Sequence, residues 1–164
     1  MTSTPESADH FDVVPSESNG TAVLLLAGSS GRIESARAEL LATTGARVRA
    51  MRWFGGAGQR PSPHEVPIEL FAEQIEVLRR EADRIVLFGT SFGAEAVLVT
   101  ASRYAVDGVI AVAPSSVVWA GADAGSWSSH WTHGGEALPY VAFDPSWVPD
   151  SDPHTASAAR SATA

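Results

Sequence analysis

The segment at residues 84–104, RIVLFGTSFGAEAVLVTASRY, decides the fold class. Its first five residues, RIVLF, predict a buried strand, because four apolar residues follow Arg84 without interruption. The turn GTSFG follows at residues 89–93, and a helix is predicted from there to about Tyr104. The residues of this helix expected to face the core are Ala94, Val97, Leu98 and Ala101. The segment therefore predicts one strand–turn–helix unit of a parallel sheet.

The same pattern of strand and helix recurs on both sides of this unit. Residues 21–27, TAVLLLA, predict a first strand, residues 47–51 a second, and residues 108–113 a fourth. The helix after the first strand is predicted to use Ile33, Ala36, Leu40 and Thr44 and to end at Gly45. A longer helix opens at Pro67, with an apolar face of Ile68, Phe71, Ile75, Leu78 and Ala82. Right-handed crossovers then predict a doubly wound, mostly parallel α/β sheet in the order second, first, third, fourth strand.

The two ends of the chain differ from this centre. Residues 1–19 are polar and are expected to form a flexible tail, with Val13 and Val14 as a possible short edge strand. Residues 20–148 form the predicted domain, and within it residues 114–148 hold four of the five Trp and predict an irregular, lid-like segment. Residues 149–164 contain no large apolar side chain and are expected to be a disordered tail.

Composition restricts the possible partners. The 164 residues have a formal net charge of −8, and their Arg side chains are not clustered, which argues against nucleic acid as a partner. The longest unbroken apolar run, residues 22–27, is far shorter than the ~20 residues that cross a bilayer, so no membrane partner is expected. The first twenty residues lack the basic start of a secretory signal, and cytoplasmic localisation is the default expectation. There is no Cys, which excludes disulfides and thiolate chemistry.

Ser91 is the candidate catalytic residue. It is the central residue of G-x-S-x-G, with a buried strand before the motif and a helix after it. In such an elbow small flanking residues allow a tight turn, and the helix amino terminus favours developing negative charge on the bound group. The motif therefore predicts a Ser nucleophile, with the backbone N–H of Phe92 as one donor of an oxyanion hole. The alternative is a glycine-rich turn with no chemistry.

The turn at residues 28–32, GSSGR, ends the first strand and is the candidate for the second oxyanion donor, the backbone N–H of Ser29. A dinucleotide-phosphate turn fits poorly, because only two glycines are present and no acidic residue ends the second strand. A turn shaped only for packing also remains open. No cofactor is predicted.

The five His residues give no complete site. His130 and His133 are three residues apart, but a third metal ligand is lacking nearby, so no metal is predicted and a lid or surface role is favoured. His64, in a Pro-rich loop, is expected to be solvated. His154 follows Asp150 and Asp152 in the order of a catalytic triad, but it lies where no scaffold is expected, so this order is interpreted as chance.

Four stretches carry a resemblance to a known family. They are LLLAGSSGRIESARAELLATTGARVRAMRWFGG, VPIELF, VLFGTSFGAEAVL and VIAVAPSSVVWAG, at residues 24–56, 66–71, 86–98 and 109–121. Between about Thr21 and about Pro149 the chain resembles the C-terminal catalytic domain of the acyl-CoA thioester hydrolase / bile acid-CoA:amino acid N-acyltransferase family, within the α/β-hydrolases.

The resemblance implies a small-molecule acyl thioester, such as an acyl-CoA, as substrate and an acyl-Ser91 intermediate. In the family Ser accompanies hydrolysis and Cys accompanies transfer to an amino acid, so Ser91 implies water as the acceptor. Trp119, Trp127 and Trp131 are the candidates for covering the substrate cleft, because their segment follows the fourth strand directly.

The resemblance also exposes a gap. In that fold the catalytic acid and His follow two further strands, so the α/β-hydrolase-like sheet is expected to be incomplete at its C-terminal end, and the chain is interpreted as truncated. Two hypotheses follow: a serine acyl-CoA thioesterase impaired by loss of the acid and His, or a non-catalytic hydrolase-like domain that binds an acyl group or a protein partner. An exposed sheet edge predicts self-association in either case. No His is expected within hydrogen-bond reach of Ser91 Oγ, and replacing His154 with Ala should change little.

Overall fold

The computed structural model describes residues 1–3, 9–142 and 144, which form a mixed α/β structure with three helices. The helices are α1 (Ser35–Ala42), α2 (Glu69–Arg79) and α3 (Phe92–Ala101). The strands are β1 (Thr2–Ser3), β2 (His10–Val14), β3 (Thr21–Leu26), β4 (Arg47–Met51), β5 (Val66–Pro67), β6 (Arg84–Thr90), β7 (Gly108–Val112), β8 (Ala120–Asp123), β9 (Ser126–Ser129), β10 (Trp131–His133) and β11 (Glu136–Ala137). None of these helices is long and apolar enough to cross a membrane.

The main sheet has six strands in the order β1-β2-β4-β3-β6-β7. The four strands β4, β3, β6 and β7 run parallel, and β1 and β2 extend the sheet antiparallel at one edge. The predicted α/β class, the mostly parallel sheet and the order of its four parallel strands are confirmed. The pairing of β3 with β6 ends with Leu26 opposite Gly89. The turns that follow these two strands, which contain Ser29 and Ser91, therefore leave the sheet at the same edge.

The sheet separates two apolar layers. On one face α2 and α3 pack against alternate residues of β3 and β6, including Leu24, Leu26, Ile85 and Leu87. On the other face α1 packs with the residues between them, including Val23, Leu25 and Val48. Both faces of β3 are covered, which explains why its sequence is uninterrupted by polar residues.

The predicted inward faces of two helices are only partly right. The face of α2 is confirmed by the burial of Phe71, Ile75 and Leu78. In α1 the buried residues are Ala38 and Ala42, while Leu40 is 69% exposed, because small side chains let this helix lie close to the sheet. In α3 Leu98, expected inside, is 41% exposed.

Part of the segment predicted as an N-terminal tail is an ordered strand. Phe11 and Val13 in β2 are buried, and Arg49 on β4 forms a bidentate ion pair with Asp12 at 2.7 and 2.6 Å. The hydrogen bond to Asp12 raises the pKa of the Arg49 guanidinium, against the opposing effect of burial. Two features attach β2 to the sheet: the burial of alternate residues along the strand and its partly buried ion pair with Arg49.

The Trp-rich segment contains regular structure where an irregular excursion was expected. Strands β8 and β9 form an antiparallel hairpin, and β10 pairs in parallel with β5 and antiparallel with β11. The predicted tail at residues 149–164, with His154, and the Trp147 end of the lid-like segment lie outside the described residues.

Candidate active site

Ser91 occupies the turn between β6 and α3 in a strained backbone conformation. Its φ is 54° and its ψ is −120°, the dihedral angles of the first central residue of a type II′ turn, a position that Gly normally occupies. A side-chain-bearing residue in such a region costs about 1–3 kcal/mol and persists only where its surroundings enforce it. The Ser91 residue is exposed at the sheet edge. The turn thus presents a serine to solvent at an energetic cost.

Two glycines make this turn possible. A side chain at Gly89 would overlap the Gly93 carbonyl, and a Cβ at Gly93 would lie 2.5 Å from the carbonyl oxygens of Leu26 and Ala27. The start of α3 therefore packs directly on the backbone at the end of β3. This contact explains why the motif needs glycine on both sides of Ser91.

The turn after β3 lies beside Ser91. A Cβ built on Gly28 would be 3.0 Å from Ser91 Cβ and 3.6 Å from its Oγ. The preceding carbonyl, of Ala27, accepts a 2.9 Å hydrogen bond from Trp53 Nε1, which fixes the end of the strand. Phe92 is the first residue of α3, so its N–H has no partner within the helix. The structure brings the Gly28–Ser29 turn and the amino terminus of α3 together around Ser91.

A base for Ser91 is not found in the part of the chain that the structure describes. Within that part no hydrogen bond joins a His ring to Ser91 Oγ. His133 lies 4.0 Å from Glu69 and contacts the Tyr104 ring, whereas His130 is bonded to Glu95, so the two His residues have different partners. His64 is buried rather than solvated, and neither of its ring nitrogens has a hydrogen-bond partner among the described residues.

Glu95, one turn after Ser91, is a functional candidate that the sequence analysis missed. It is 3% exposed, and its Oε1 accepts hydrogen bonds of 2.8 Å from both His130 Nδ1 and Trp131 Nε1. Its Oε2 accepts one of 2.8 Å from Ser115 Oγ. Buried carboxylates require such partners. The available signal was an acidic residue inside the apolar run of α3, at a position that the helix turns inward.

The three Trp residues proposed to cover the cleft lie in different environments. Trp131 is fully buried among Trp53, Phe71 and Glu95, so it belongs to the core and cannot act as a lid. Trp119 is half-buried with its backbone N–H 3.4 Å from Glu95, and Trp127 is 39% exposed in β9. The indole of Trp131 is inside because its N–H finds a buried acceptor there.

A groove of about 840 Å³ lies between α2 and the residues Tyr104 and Ala105 that follow α3, and its lining does not include Ser91. Beside it, partial burial raises the pKa of Glu69, but a 2.7 Å hydrogen bond from the Gly134 N–H and the nearby His133 outweigh that effect, so the pKa lies below its ordinary value. On the other face of the sheet Arg37 donates to Thr90 Oγ1 at 2.8 Å and covers the Phe88 ring, next to Ser91.

Comparisons with known proteins give one distant structural likeness to report. No family model matches the chain, and no curated protein matches it. Among solved structures, the type II thioesterase BorB from the borrelidin biosynthetic cluster is similar, with 22% sequence identity and a TM-score of 0.43. The match covers 61% of this chain and 44% of BorB, so the chain spans less than half the length of that protein. A likeness of this extent does not assign an activity to the chain.

Proposed function

We propose that the chain is a serine hydrolase of acyl thioesters such as acyl-CoA, and that Ser91 is its nucleophile. The observation that carries this proposal is the strained, exposed backbone of Ser91 at the edge of the sheet, beside Gly28, where an added Cβ would lie 3.0 Å from Ser91 Cβ. Gly adopts these dihedral angles without strain, so a turn with no chemical role favours Gly at this position. A side chain maintained at this cost indicates a function for the hydroxyl.

The reaction follows from this placement. Ser91 Oγ attacks the thioester carbonyl carbon, and the oxygen of the tetrahedral intermediate accepts hydrogen bonds from the N–H groups of Phe92 and Ser29. The C–S bond then breaks, the thiol leaves, and the acyl group remains on Ser91 as an oxyester. Water hydrolyses that ester, which releases the carboxylic acid and restores the hydroxyl. The choice of a thioester rests on the family resemblance of the sequence.

We expect turnover by this chain to be slow. Ser is a weak nucleophile at neutral pH without an adjacent base, and the described residues place no His on its hydroxyl. Loss of a triad member costs several powers of ten in rate, whereas an oxyanion hole and substrate binding alone retain about 10³–10⁴-fold acceleration over water. The proposal is therefore an acylating serine with impaired turnover.

The second candidate is a non-catalytic domain that binds a partner at the edge of the sheet. It is favoured by β7, where Val109, Ile110 and Val112 are 37%, 45% and 44% exposed. An apolar edge strand with unpaired backbone groups is a template for another strand. In this candidate the turn at Ser91 would have no chemical role.

Covalent labelling with a fluorophosphonate probe distinguishes the two candidates. We expect the purified chain to be labelled once, at Ser91, and Ser91→Ala to abolish labelling. Ser102→Ala, at the other end of α3, is the matched control and should label normally. Acyl-CoA should then give a slow or single-turnover release of thiol that Ser91→Ala eliminates. A folded wild-type chain that is not labelled would contradict the nucleophile role and favour the binding domain.

A further inference from the structure

We propose that Glu95 is a positioning residue that aligns both donors of the oxyanion hole, the N–H groups of Phe92 and Ser29. This inference rests on the proposed function and names a residue that the proposal does not require. Glu95 is placed one helical turn after Ser91, and its own N–H donates to the Ser91 carbonyl at 3.1 Å. Two separate series of contacts lead from its carboxylate to the two donors.

The first series leads to Phe92. Glu95 Oε1 accepts from His130 Nδ1 at 2.8 Å, which fixes the orientation of the imidazole. The His130 ring then packs against the Phe92 ring, with centroids 4.6 Å apart and an interplanar angle of 56°. Phe92 directly follows the strained residue, so a contact that fixes its side chain acts next to the turn. The carboxylate thereby constrains the first residue of α3.

The second series leads to Ser29. The same Oε1 accepts from Trp131 Nε1 at 2.8 Å, and the Trp131 ring lies 5.1 Å from that of Trp53. Trp53 Nε1 donates to the Ala27 carbonyl at 2.9 Å, two residues before Ser29. Glu95, Trp131, Trp53 and Ala27 are buried and joined by defined hydrogen bonds or ring contacts, and the series ends at Ser29, which is exposed. One carboxylate oxygen thus connects the helix side and the loop side of the Ser91 turn.

The groups that face Glu95 favour a carboxylate at its Oε1. Three N–H groups point to that oxygen: His130 Nδ1–H, Trp131 Nε1–H and, at 3.4 Å, the Trp119 N–H. At Oε2 the Ser115 hydroxyl has a second acceptor, the Val117 carbonyl, and can accept a hydrogen bond when its proton is used there. In Glu95→Gln the NH₂ group can therefore face Ser115, and a neutral amide oxygen replaces the charged acceptor of the three N–H groups. Hydrogen bonds to a charged group are the stronger ones, so Glu95→Gln weakens the contacts of Oε1 while it preserves the size and shape of the side chain.

The test compares Glu95→Gln with Glu73→Gln, a matched change at an exposed position on α2. Backbone amide chemical shifts are measured for Ser29 and Phe92, with Ala42 on α1 as an internal reference. We expect both Ser29 and Phe92 to move in Glu95→Gln, no movement at Ala42, and no movement of the three in Glu73→Gln. Labelling by fluorophosphonate should fall about tenfold in its maximal rate, with little change in the half-saturating probe concentration, because removal of a whole oxyanion donor costs about 10²–10³.

A second variant separates the two series of contacts and remains informative if Glu95→Gln does not fold. Trp131→Phe removes the indole donor and keeps an aromatic ring, so we expect Ser29 to shift and Phe92 to stay. The inference is overturned if Ser29 is unmoved in both variants or if Phe92 is unmoved in Glu95→Gln. It is also overturned if Ala42 shifts as much as the two donors, which would indicate a general loss of packing. A wild-type chain that resists labelling defeats the proposed function, whereas the amide shifts still decide the role of Glu95.

Discussion

Replacement of Ser91 by Gly should make the protein more stable while it removes the proposed nucleophile. Gly adopts φ 54° and ψ −120° without the steric penalty that a Cβ brings, so the strain of about 1–3 kcal/mol is released. Gly also has a larger conformational entropy in the unfolded chain, which costs about 0.5–1 kcal/mol relative to Ala. Ser91→Gly should therefore exceed Ser91→Ala in free energy of unfolding by up to about 2.5 kcal/mol, and by about 1 kcal/mol at the middle of the two ranges.

Both variants at position 91 lack the hydroxyl, so the difference between their free energies of unfolding does not depend on its loss. Ser102, where φ is −71°, provides the matched pair. There the sign should reverse, with the Gly variant about 0.5–1 kcal/mol less stable than the Ala variant, since no strain is relieved.

Urea unfolding followed by Trp fluorescence gives the free energy of unfolding of all four variants. In thermal melts of the same variants, a difference of 1 kcal/mol corresponds to about 2–4 °C in melting temperature. Both Ser91 variants should fail to label with the fluorophosphonate. The reasoning is refuted if Ser91→Gly is no more stable than Ser91→Ala while the Ser102 pair behaves as expected. The turn would then store no strain, and the observation that carries the proposed function would be lost.

Four further outcomes are expected. Gly28→Ala should lower the rate of Ser91 labelling at least tenfold, since the new Cβ would lie 3.0 Å from Ser91 Cβ, while circular dichroism shows that the fold is retained. An unchanged rate would contradict the proposed oxyanion loop. Arg49→Lys should lower the free energy of unfolding, measured by urea titration, by about 1–3 kcal/mol, because the bidentate, charge-assisted pair with Asp12 is lost. A cost near zero would show that this pair does not hold β2 on the sheet. Because the Glu69 pKa is lowered in the folded state, Glu69→Gln should be less stable than wild type at neutral pH by under about 1 kcal/mol. That difference should shrink below about pH 4.3 and vanish once pH falls through the lowered pKa; a constant difference in pH-dependent melts would argue against ionisation as its source. Ile110→Lys should reduce any self-association seen by light scattering without loss of stability, since that residue is 45% exposed on the edge strand; unchanged association would place the contact elsewhere.

The elements that could be predicted from sequence are those with strong local patterns. Strand β3, buried on both faces, is a continuous apolar run, whereas β6 has an apolar centre whose residues alternate between buried and half-buried. Helix α2 repeats its apolar residues at helical spacing. The sequence predicts these three elements and the order of the parallel strands correctly. The buried face of α1 was predicted wrongly, because Leu40 is the larger apolar residue but the close approach of helix and sheet selects Ala38 and Ala42. The spacing of apolar residues indicates which helix face is apolar, but it does not indicate which face packs closely against the sheet.

The candidate site also contains residues whose placement could be predicted from local sequence and residues whose placement could not. Ser91 lies in a local motif, and its strand, turn and helix were all predictable from neighbouring residues. The environments of Glu95, His130 and Trp131 depend on contacts between residues 35 and 36 positions apart, which no local pattern specifies. Trp131 was therefore interpreted as a lid residue, and His64 as solvated, although both are buried. In each case the packing of a distant segment decided the environment of the residue.

The contact between Trp53 and Trp131 also gives the protein an intrinsic spectroscopic signal. Both indoles are fully buried, with ring centroids 5.1 Å apart and planes inclined at 42°. Two identical chromophores held so close at a fixed oblique angle share their excited states and produce paired circular dichroism bands of opposite sign. The amplitude of this couplet depends steeply on the separation and angle of the rings. Movement between the segments that carry these two residues can thus be followed in the native chain with no label, ligand or turnover.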